Sequence, residues 1–450
     1  MSANPSVTES IDKEFMNQIH SSLGKLFKEM SKRLIERDQL SRLIALTFFT
    51  RANCFLLGER GVAKSYAIDT LGNSIDETDE LWQLTLKDDT KIEEIFGRTY
   101  TDTNGDWKIN TKGSLLEADN IFLDEMFKAK GKVLNGVLEL LVDRTYSFGD
   151  GKKHKTDILA FFAASNEYPT ESYMLPYVDR IDYWIEIPPI RTAFNRKRFY
   201  MGDFLKAPID EKLISKTQIL KVIEESKKVI IPDNIMNLYV KITINFRKAL
   251  VKTSDRKYSR IIKNIKTIAY MNNRDYVNYS DLFILLYSAW QDGIEKERVE
   301  RVLFETMFGK REEIRAYLSE CNTLYRDCLN EFNSKLFRFF THKYDFIGEM
   351  QNSNFLITRD NFKAIAESIE GLLKNIEEIE HIRSFNQKIQ KELDDNIIIL
   401  DVKERVFDEK LNKEISVSKN DMISKRDDIM EWLEVNPDLF TYKNIQKENF

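Results

Sequence analysis

Gly58-Glu59-Arg60-Gly61-Val62-Ala63-Lys64-Ser65 stands between a short apolar run, Cys54-Phe55-Leu56-Leu57, and a stretch that reads as helix. Backbone amides in such a loop converge on phosphate oxygens, and the helix behind it adds the positive end of its dipole. A lysine at position 64 suits the β and γ phosphates, and the hydroxyl of Ser65 suits magnesium. Glu59, Arg60, Val62 and Tyr66 complete the segment expected to wrap a nucleotide. Ala63 occupies the place where glycine usually precedes the lysine; read as the start of the helix, alanine is acceptable there. The competing reading is a glycine-containing turn with no ligand.

Downstream, Ile121-Phe122-Leu123-Asp124-Glu125 is an apolar strand that ends in two carboxylates. A buried strand delivering adjacent acids to its C-terminal end suits two tasks, Asp124 holding magnesium through water and Glu125 polarising an attacking water. Taken alone, such a pair is often only solvated. Behind a phosphate loop it reads as a nucleoside triphosphatase site. Ala163-Ala164-Ser165-Asn166 closes the next strand, where an amide can position the lytic water or sense the γ-phosphate. Its plain alternative is a turn-forming asparagine.

Working outward, five strand-like runs start at Cys54, Leu81, Ile121, Ile158 and Tyr183, most of them separated by helical patterns such as 130–142. That alternation predicts an α/β core with a parallel sheet. Residues 97–113, with Asn104-Gly105, and 144–157, with Asp150-Gly151, read as hairpins set into the core. Upstream, Phe15, Ile19, Leu23, Phe27 and Met30 recur at helical spacing within residues 9–50. After Pro188-Pro189 the strand signal fades, and helices are expected over 193–206, 216–229, 234–252, 258–270 and 279–294. The division this gives is a nucleotide-type α/β core over 1–190, a helical region over 191–310 and a mostly helical extension over 311–450. A small β insertion is expected within the extension near 395–418, where Ile397 to Val406 and Glu414 to Val417 alternate, followed by a helix near 421–435.

The 450 residues are 42% hydrophobic and 31% charged, enough for a sizeable core, with only 16 glycines and 8 prolines. The longest apolar run, Ile158 to Ala164, falls well short of the roughly 18 residues a membrane span requires. An N-terminus without a basic stretch and apolar run points to a cytoplasmic protein. Cys54, Cys321 and Cys328 match no zinc or redox spacing, so reduced thiols and no structural metal are expected. A net charge of −5 gives no global attraction to nucleic acid.

At this point the sequence resembles the MoxR branch of the AAA+ ATPases, and within it the RavA-like subgroup. The stretches that carry the resemblance are LIERDQLSRLIAL (34–46), FLLGERGVAKS (55–65), EEIFG (93–97), GSLLEADNIFLDEMFKAKGKVLN (113–135), FFAASNEYP (161–169), YVDRIDYWIEI (177–187) and SDRKY (254–258). They span roughly residues 10–300. The resemblance implies an AAA+ P-loop core, a helical lid and a hexameric ring with ATP and Mg2+ between neighbours. By position it makes Lys64 and Ser65 the Walker A residues, Asp124 and Glu125 the Walker B pair and Asn166 sensor 1. Arg180 matches the arginine finger that reaches the neighbouring subunit, and Arg256 matches sensor 2 on the lid. An arginine supplied in trans stabilises charge on the transferring phosphoryl group, so hydrolysis would depend on assembly. For either arginine the plain alternative is a surface ion pair, with Lys257 and Arg260 close to Arg256. The two hairpins correspond to the helix-2 insert and the pre-sensor-1 hairpin of this clade. Family likeness further implies a chaperone-like remodeller that works with a partner carrying a von Willebrand factor A (vWA) domain, and a partner-binding C-terminal arm.

Three functional classes follow. The first is a ring-shaped ATP-hydrolysing remodeller of a client protein. The second is an ATP-gated scaffold that docks partners through 311–450. The third, a nucleic-acid translocase, is disfavoured by the charge and by the lack of a basic stripe interleaved with stacking aromatics.

Overall fold

Why the five apolar runs become one sheet is visible in their burial. In the computed structural model, Asn53–Leu57 (β1), Trp82–Thr85 (β2), Asn120–Asp124 (β3), Ala160–Ser165 (β4) and Tyr183–Glu186 (β5) pair in the order β5-β1-β4-β3-β2, all parallel. Every residue of β1 and β4 is buried, as expected of central strands covered on both faces. The structure describes residues 10–103, 105, 107–129, 131–147, 152–169, 174–309, 311–345, 359–402 and 409–435.

The chain divides into two compact units, residues up to 306 together with 391–404, and residues 307–390 together with 405–450. In the first unit, Lys13–Arg33 (α1) is capped by Asp12, whose carboxylate accepts from Phe15 N at 3.0 Å, and buries the stripe Phe15, Ile19, Leu23, Phe27 and Met30. Asp38–Thr50 (α2) is buried on most of its surface and runs into β1. Lys64–Gly72 (α3) follows β1, Ile92–Phe96 (α4) follows β2 and Gly131–Asp143 (α5) connects β3 to β4. The two expected hairpins are present: Arg98–Thr101 pairs antiparallel with Trp107–Asn110, and Thr145–Tyr146 with His154–Lys155. Their turn residues Asn104, Asp150 and Gly151 lie outside the described residues.

Leu175–Val178 (α6) precedes β5, and Ala193–Tyr200 (α7) follows it, ending before Gly202 with its φ of +69°. Lys216–Ser226 (α8), Asp233–Lys248 (α9) and Asp255–Met271 (α10) carry buried stripes at helical spacing. The single helix expected over 279–294 is instead broken into a 3-10 turn, Tyr279–Ile284, a short helix, Leu285–Ser288 (α11), and Gly293–Phe308 (α12). Gln291-Asp292-Gly293 interrupts it, and Trp290 is buried beside the break, its Nε1 donating to Leu286 O at 2.6 Å. Among the described residues no helix is long and apolar enough to cross a membrane.

The second unit is helical. Arg311–Asp345 (α13), Arg359–Asp394 (α14) and Glu409–Val435 (α15) contribute Leu318, Cys321 and Tyr325, then Ile365, Ile369, Leu372 and Ile376, then Ile415, Met422 and Ile429 to one buried cluster. Alternating steps of three and four, or steps of seven, are the signature of coiled-coil seams.

The β insertion expected near 395–418 is corrected here. Residues 409–418 belong to α15, and no strand is found among the described residues 395–402; positions 403–408 lie outside them. The apolar run Ile397 to Leu400 has another cause. Ile398, Ile399 and Val402 are fully buried in the first unit, where Asn396 orders the segment. Its Oδ1 accepts from Ile398 N at 2.9 Å and Ile399 N at 3.0 Å, and its Nδ2 donates to Ser280 Oγ at 2.8 Å. Gln39 of α2 accepts from Leu400 N at 2.7 Å and donates to Ile398 O at 3.0 Å.

Candidate functional site

β1 delivers its chain to the C-terminal edge of the sheet between two neighbours. There Gly58 N donates to Ser165 O at 3.1 Å, and Ile187 N donates to Leu57 O at 2.8 Å. A Cβ on Gly58 would meet the Ile187 carbonyl oxygen at 2.8 Å, so only glycine lets the loop leave the sheet along this path. Gly61 has a φ of +82° and Ala63 a φ of +69° with ψ 33°. Ala63 is therefore not the first helical residue that the sequence suggests. It sits in left-handed backbone, which costs a non-glycine residue about 1 kcal/mol. The double reversal turns the backbone of 58–63 around the start of α3, which has no side-chain cap. Its first amides and the positive end of its dipole are thus left for an anion.

Lys64 folds back over this loop, with Nζ donating to Gly58 O at 2.6 Å and Glu59 O at 3.3 Å. Burial pulls its ammonium below the ordinary lysine value, while the charges of Asp124 and Glu125 oppose that fall. The lysine thus lies in the field of the acid pair. Asp124, half-buried at the end of β3, accepts from Glu125 N at 3.0 Å through Oδ1. Glu125 adopts a φ of +55° and is 5% exposed. Arg60 Nη2 is 3.5 Å from its Oε1, and Lys128 Nζ is 3.3 Å from its Oε2. Neither cation hydrogen-bonds Oε2, which is left buried without a donor. A strained, buried carboxylate held beside a phosphate-type loop is the arrangement a general base requires. It lines an open recess together with Arg60, Thr85, Asp88 and Lys128.

A second pocket, of about 340 Å³, lies on the other side of the loop. That volume falls within the roughly 300–1,000 Å³ of small-molecule sites. Its walls are the turn between α1 and α2, the loop residues Glu59 to Ala63 with Tyr66, and the segment carrying Arg196, Phe199 and Tyr200. The buried Arg37 guanidinium ties these walls, with Nη2 donating to Pro188 O at 2.9 Å and Nε to Val62 O at 3.4 Å. Glu36, itself at φ +56°, accepts from Arg191 N at 2.6 Å, Thr192 N at 3.1 Å and Asn195 Nδ2 at 2.8 Å. Burial opposes its ionisation, but these donors outweigh it and hold the carboxyl down at about 2. Sequence reasoning missed this wall. Its only local signals were the stretch 34–46 and the Pro188-Pro189 pair.

The remaining expected residues are distributed as follows. Asn166 is exposed just beyond Ser165, the residue whose carbonyl holds Gly58, and so borders the loop. Arg180 lies at the opposite, N-terminal edge of the sheet, before β5, whose Tyr183 pairs with Cys54. β1 is five residues long, so about 16 Å of strand separates that edge from the phosphate-type loop of the same subunit. Asn53 Nδ2 donates to Arg180 O at 2.8 Å. The Arg180 side chain donates to Pro176 O and makes no ion pair among the described residues. Arg256 is exposed in the first turn of α10. Lys257, next to it, is fully buried, and Arg260 is bonded to the Arg180 segment.

The donor set suits magnesium rather than a dedicated metal cage. Among the described residues no cluster of three or more His, Cys, Asp or Glu is placed to hold a metal ion. Ser65 and Asp124 with water and phosphate oxygens form the kind of sparse oxygen set that magnesium accepts.

Comparison with known proteins agrees with this geometry. A family model described as the MoxR domain of MoxR-vWA-beta-propeller ternary systems matches residues 21–198, and one for an AAA lid domain matches residues 231–303. An uncharacterized protein of Methanocaldococcus jannaschii is 29% identical over 294 residues, covering 64% of this chain and 76% of its own length. The chaperone MoxR1 of Mycobacterium tuberculosis is 23% identical over 318 residues, covering 64% of this chain and 82% of its own. A crystal structure of a protein provisionally named an ATPase, from Cytophaga hutchinsonii, superposes with a TM-score of 0.53 at 16% identity. It covers 64% of this chain and 96% of that one, and it supports the fold. With the phosphate-type loop, the acid pair and the five-stranded order lying inside the first matched region, and α9 and α10 inside the second, the chain belongs to the MoxR family of AAA+ ATPases.

Proposed function

We propose that the chain binds ATP with Mg2+ at residues 58–66, hydrolyses it, and uses the cycle to remodel a partner protein from within a ring of identical subunits. One observation carries this reading: the uncapped start of α3 and the buried Glu125 carboxylate, whose Oε2 faces Lys128 at 3.3 Å but accepts no hydrogen bond, belong to the same sheet edge, with Lys64 in the field of both acids. A ligand rich in phosphate oxygens, with a water beside it, supplies what each of these groups lacks.

In this reading the amides from Gly58 to Ser65, flanked by Glu59, Arg60 and Tyr66, cradle the phosphates, and Lys64 exchanges its own loop carbonyls for phosphate oxygens. Ser65 and Asp124 hold the magnesium, which when bound neutralises phosphate charge. Glu125 accepts the proton of the attacking water, and Asn166 orients that water. Arg180 cannot serve its own loop from the far end of β1, so it acts on the neighbouring subunit, and Arg256 contributes from α10. The pocket behind Arg37 takes the nucleoside. A hexamer is the ring expected of the family.

The matched family setting favours a partner that carries a vWA domain, in a system that also contains a β-propeller protein. MoxR1 is named a chaperone, which favours a client-remodelling role here. The second unit, with a buried core of its own, favours a docking role alongside the motor, which is also the scaffold reading's main support. Deleting 307–390 and 405–450 while keeping 391–404 separates the two: a motor keeps its ATPase and loses its client.

The test is ATPase activity against protein concentration. Specific activity should rise steeply with concentration, and Glu125→Gln should lower kcat by about 10²–10⁴-fold while nucleotide still binds in calorimetry. A constant specific activity down to monomeric dilution would refute the ring.

A further inference from the structure

We infer that Arg260 is a positioning residue for Arg180, through which lid helix α10 presents the arginine to the neighbouring subunit's nucleotide. This rests on the reading of Arg180 as a trans donor.

The segment Asp179-Arg180-Ile181-Asp182 is held from two sides. On the sheet side, Asp182 N donates to Asn53 O at 2.8 Å, Asn53 N donates to Asp182 Oδ2 at 2.9 Å, and Asn53 Nδ2 donates to Arg180 O at 2.8 Å. On the lid side, Arg260 Nε donates to Asp182 Oδ1 at 2.8 Å and its Nη2 to Asp179 O at 2.7 Å. The Asp182 carboxylate is therefore shared, one oxygen by the first residue of β1 and the other by the lid.

The planar guanidinium grips the acceptors on both flanks of Arg180 at once, a fork that a lysine cannot reproduce. Arg260 is about one-quarter exposed and Asp182 one-tenth, so the pair is screened less than a surface bridge. Arg260 makes no hydrogen bond or ion pair with residues 58–66 or 124–125 among the described residues, so its bonds do not act on its own subunit's loop. One turn earlier, Lys257 is fully buried with no hydrogen-bond acceptor for Nζ. Burial pulls it down to about 8, with Asp182 and Asp179 opposing. Two of the three carboxylates that compensate this ammonium, Asp182 and Asp179, belong to the 179–182 turn, and the third is Glu295. Arg180 itself has its Nε buried without an acceptor and its guanidinium resting on one carbonyl. Its backbone is fixed while its charge remains available, as presentation to a second molecule demands.

The experiment measures ATPase activity in mixtures of full-length variants. Arg260→Gln alone should lower kcat by about 10- to 100-fold, the scale of a misplaced catalytic group, with nucleotide affinity unchanged. Mixed with Glu125→Gln subunits, which keep a well-held Arg180 but lack the base, activity should rise several-fold above either parent, because Arg260→Gln subunits still own an intact base. Mixing Glu125→Gln with Arg180→Ala is the control. If that control recovers and the Arg260→Gln mixture stays silent, Arg260 serves its own subunit and the inference is wrong. Full activity of Arg260→Gln alone overturns it as well. If the control itself stays silent, the trans reading fails and takes the inference with it. Should Arg260→Gln fold poorly, Arg260→Lys keeps the charge beside Asp182 but loses the fork. An intermediate kcat rescued in the same mixture supports the inference, and an unrescued loss opposes it.

Discussion

At the C-terminal edge of the sheet Lys64 bonds to its own loop, Ala63 and Glu125 occupy left-handed backbone, and Glu125 Oε2 is buried without a donor. At the N-terminal edge, some 16 Å away along β1, the polar groups close on one another. Asn53 bridges Leu141 O and Arg180 O through Nδ2 and receives Arg144 at 2.6 Å on Oδ1, while Asp182 is shared by Asn53 N and Arg260. Arg144 is half-buried, and burial pulls its guanidinium down to about 10 against the opposing charge of Asp182. The two ends of one sheet thus do different work. The first leaves its loop and buried acid short of hydrogen-bond partners; the second ties down the backbone of the 179–182 turn, while the side chains of Arg180 and Lys257 keep Nε and Nζ without acceptors. Incomplete groups predict activity changes with little effect on folding, and satisfied groups predict the reverse.

The largest departure from that division is expected at Arg180, whose backbone belongs to the rigid end and whose charge we propose to serve catalysis. Arg180→Ala should lower kcat about 10³-fold, the scale of an arginine finger, without changing nucleotide affinity or the denaturation midpoint. Next comes Asp182→Ala, which strands Arg260 and Asn53 N. Breaking a buried pair in this way should cost about 3 kcal/mol in chemical denaturation. Glu36→Ala removes the carboxylate that receives the start of α7 and should cost about 1 kcal/mol at neutral pH, the scale of a lost helix cap. Because the Glu36 carboxyl is depressed from 4.5 to about 2 in the fold, its contribution is complete above about pH 4.5 and is lost as pH falls toward 2. Melting curves of the wild type and this variant should therefore converge across that window. The smallest effect is expected from Ala63→Gly, which relieves left-handed alanine and should raise stability by less than about 1 kcal/mol. An unchanged or lowered midpoint would mean that Ala63 is not strained.

Much of the first unit was legible because its signals are local. Continuous apolar runs mark β1 and β4, and glycine followed by lysine and serine marks the loop. Asp124-Glu125 at a strand end marks the acids. What could not be read depends on partners far along the chain. The pocket wall behind the loop needs Arg37 to find Pro188, and the 396–402 segment needs Asn396 to find Asn272 and Ser280. The apolar run there is a pattern a buried strand also shows, but burial, not strand pairing, set it. Ala63 misled for a different reason: residue type alone suggested helix, while the turn out of β1 imposed a positive φ. Arg260 stands out in the sequence only as a neighbour of Arg256, since nothing in the spacing reveals that it reaches Asp182.

The claim on which the rest depends is that base and arginine of each working site come from different subunits. Equimolar Glu125→Gln and Arg180→Ala proteins, each nearly inactive alone, should regain ATPase activity when mixed and allowed to reassemble. A mixture that stays as inactive as its parents, with reassembly shown by co-elution of tagged subunits, would contradict the account.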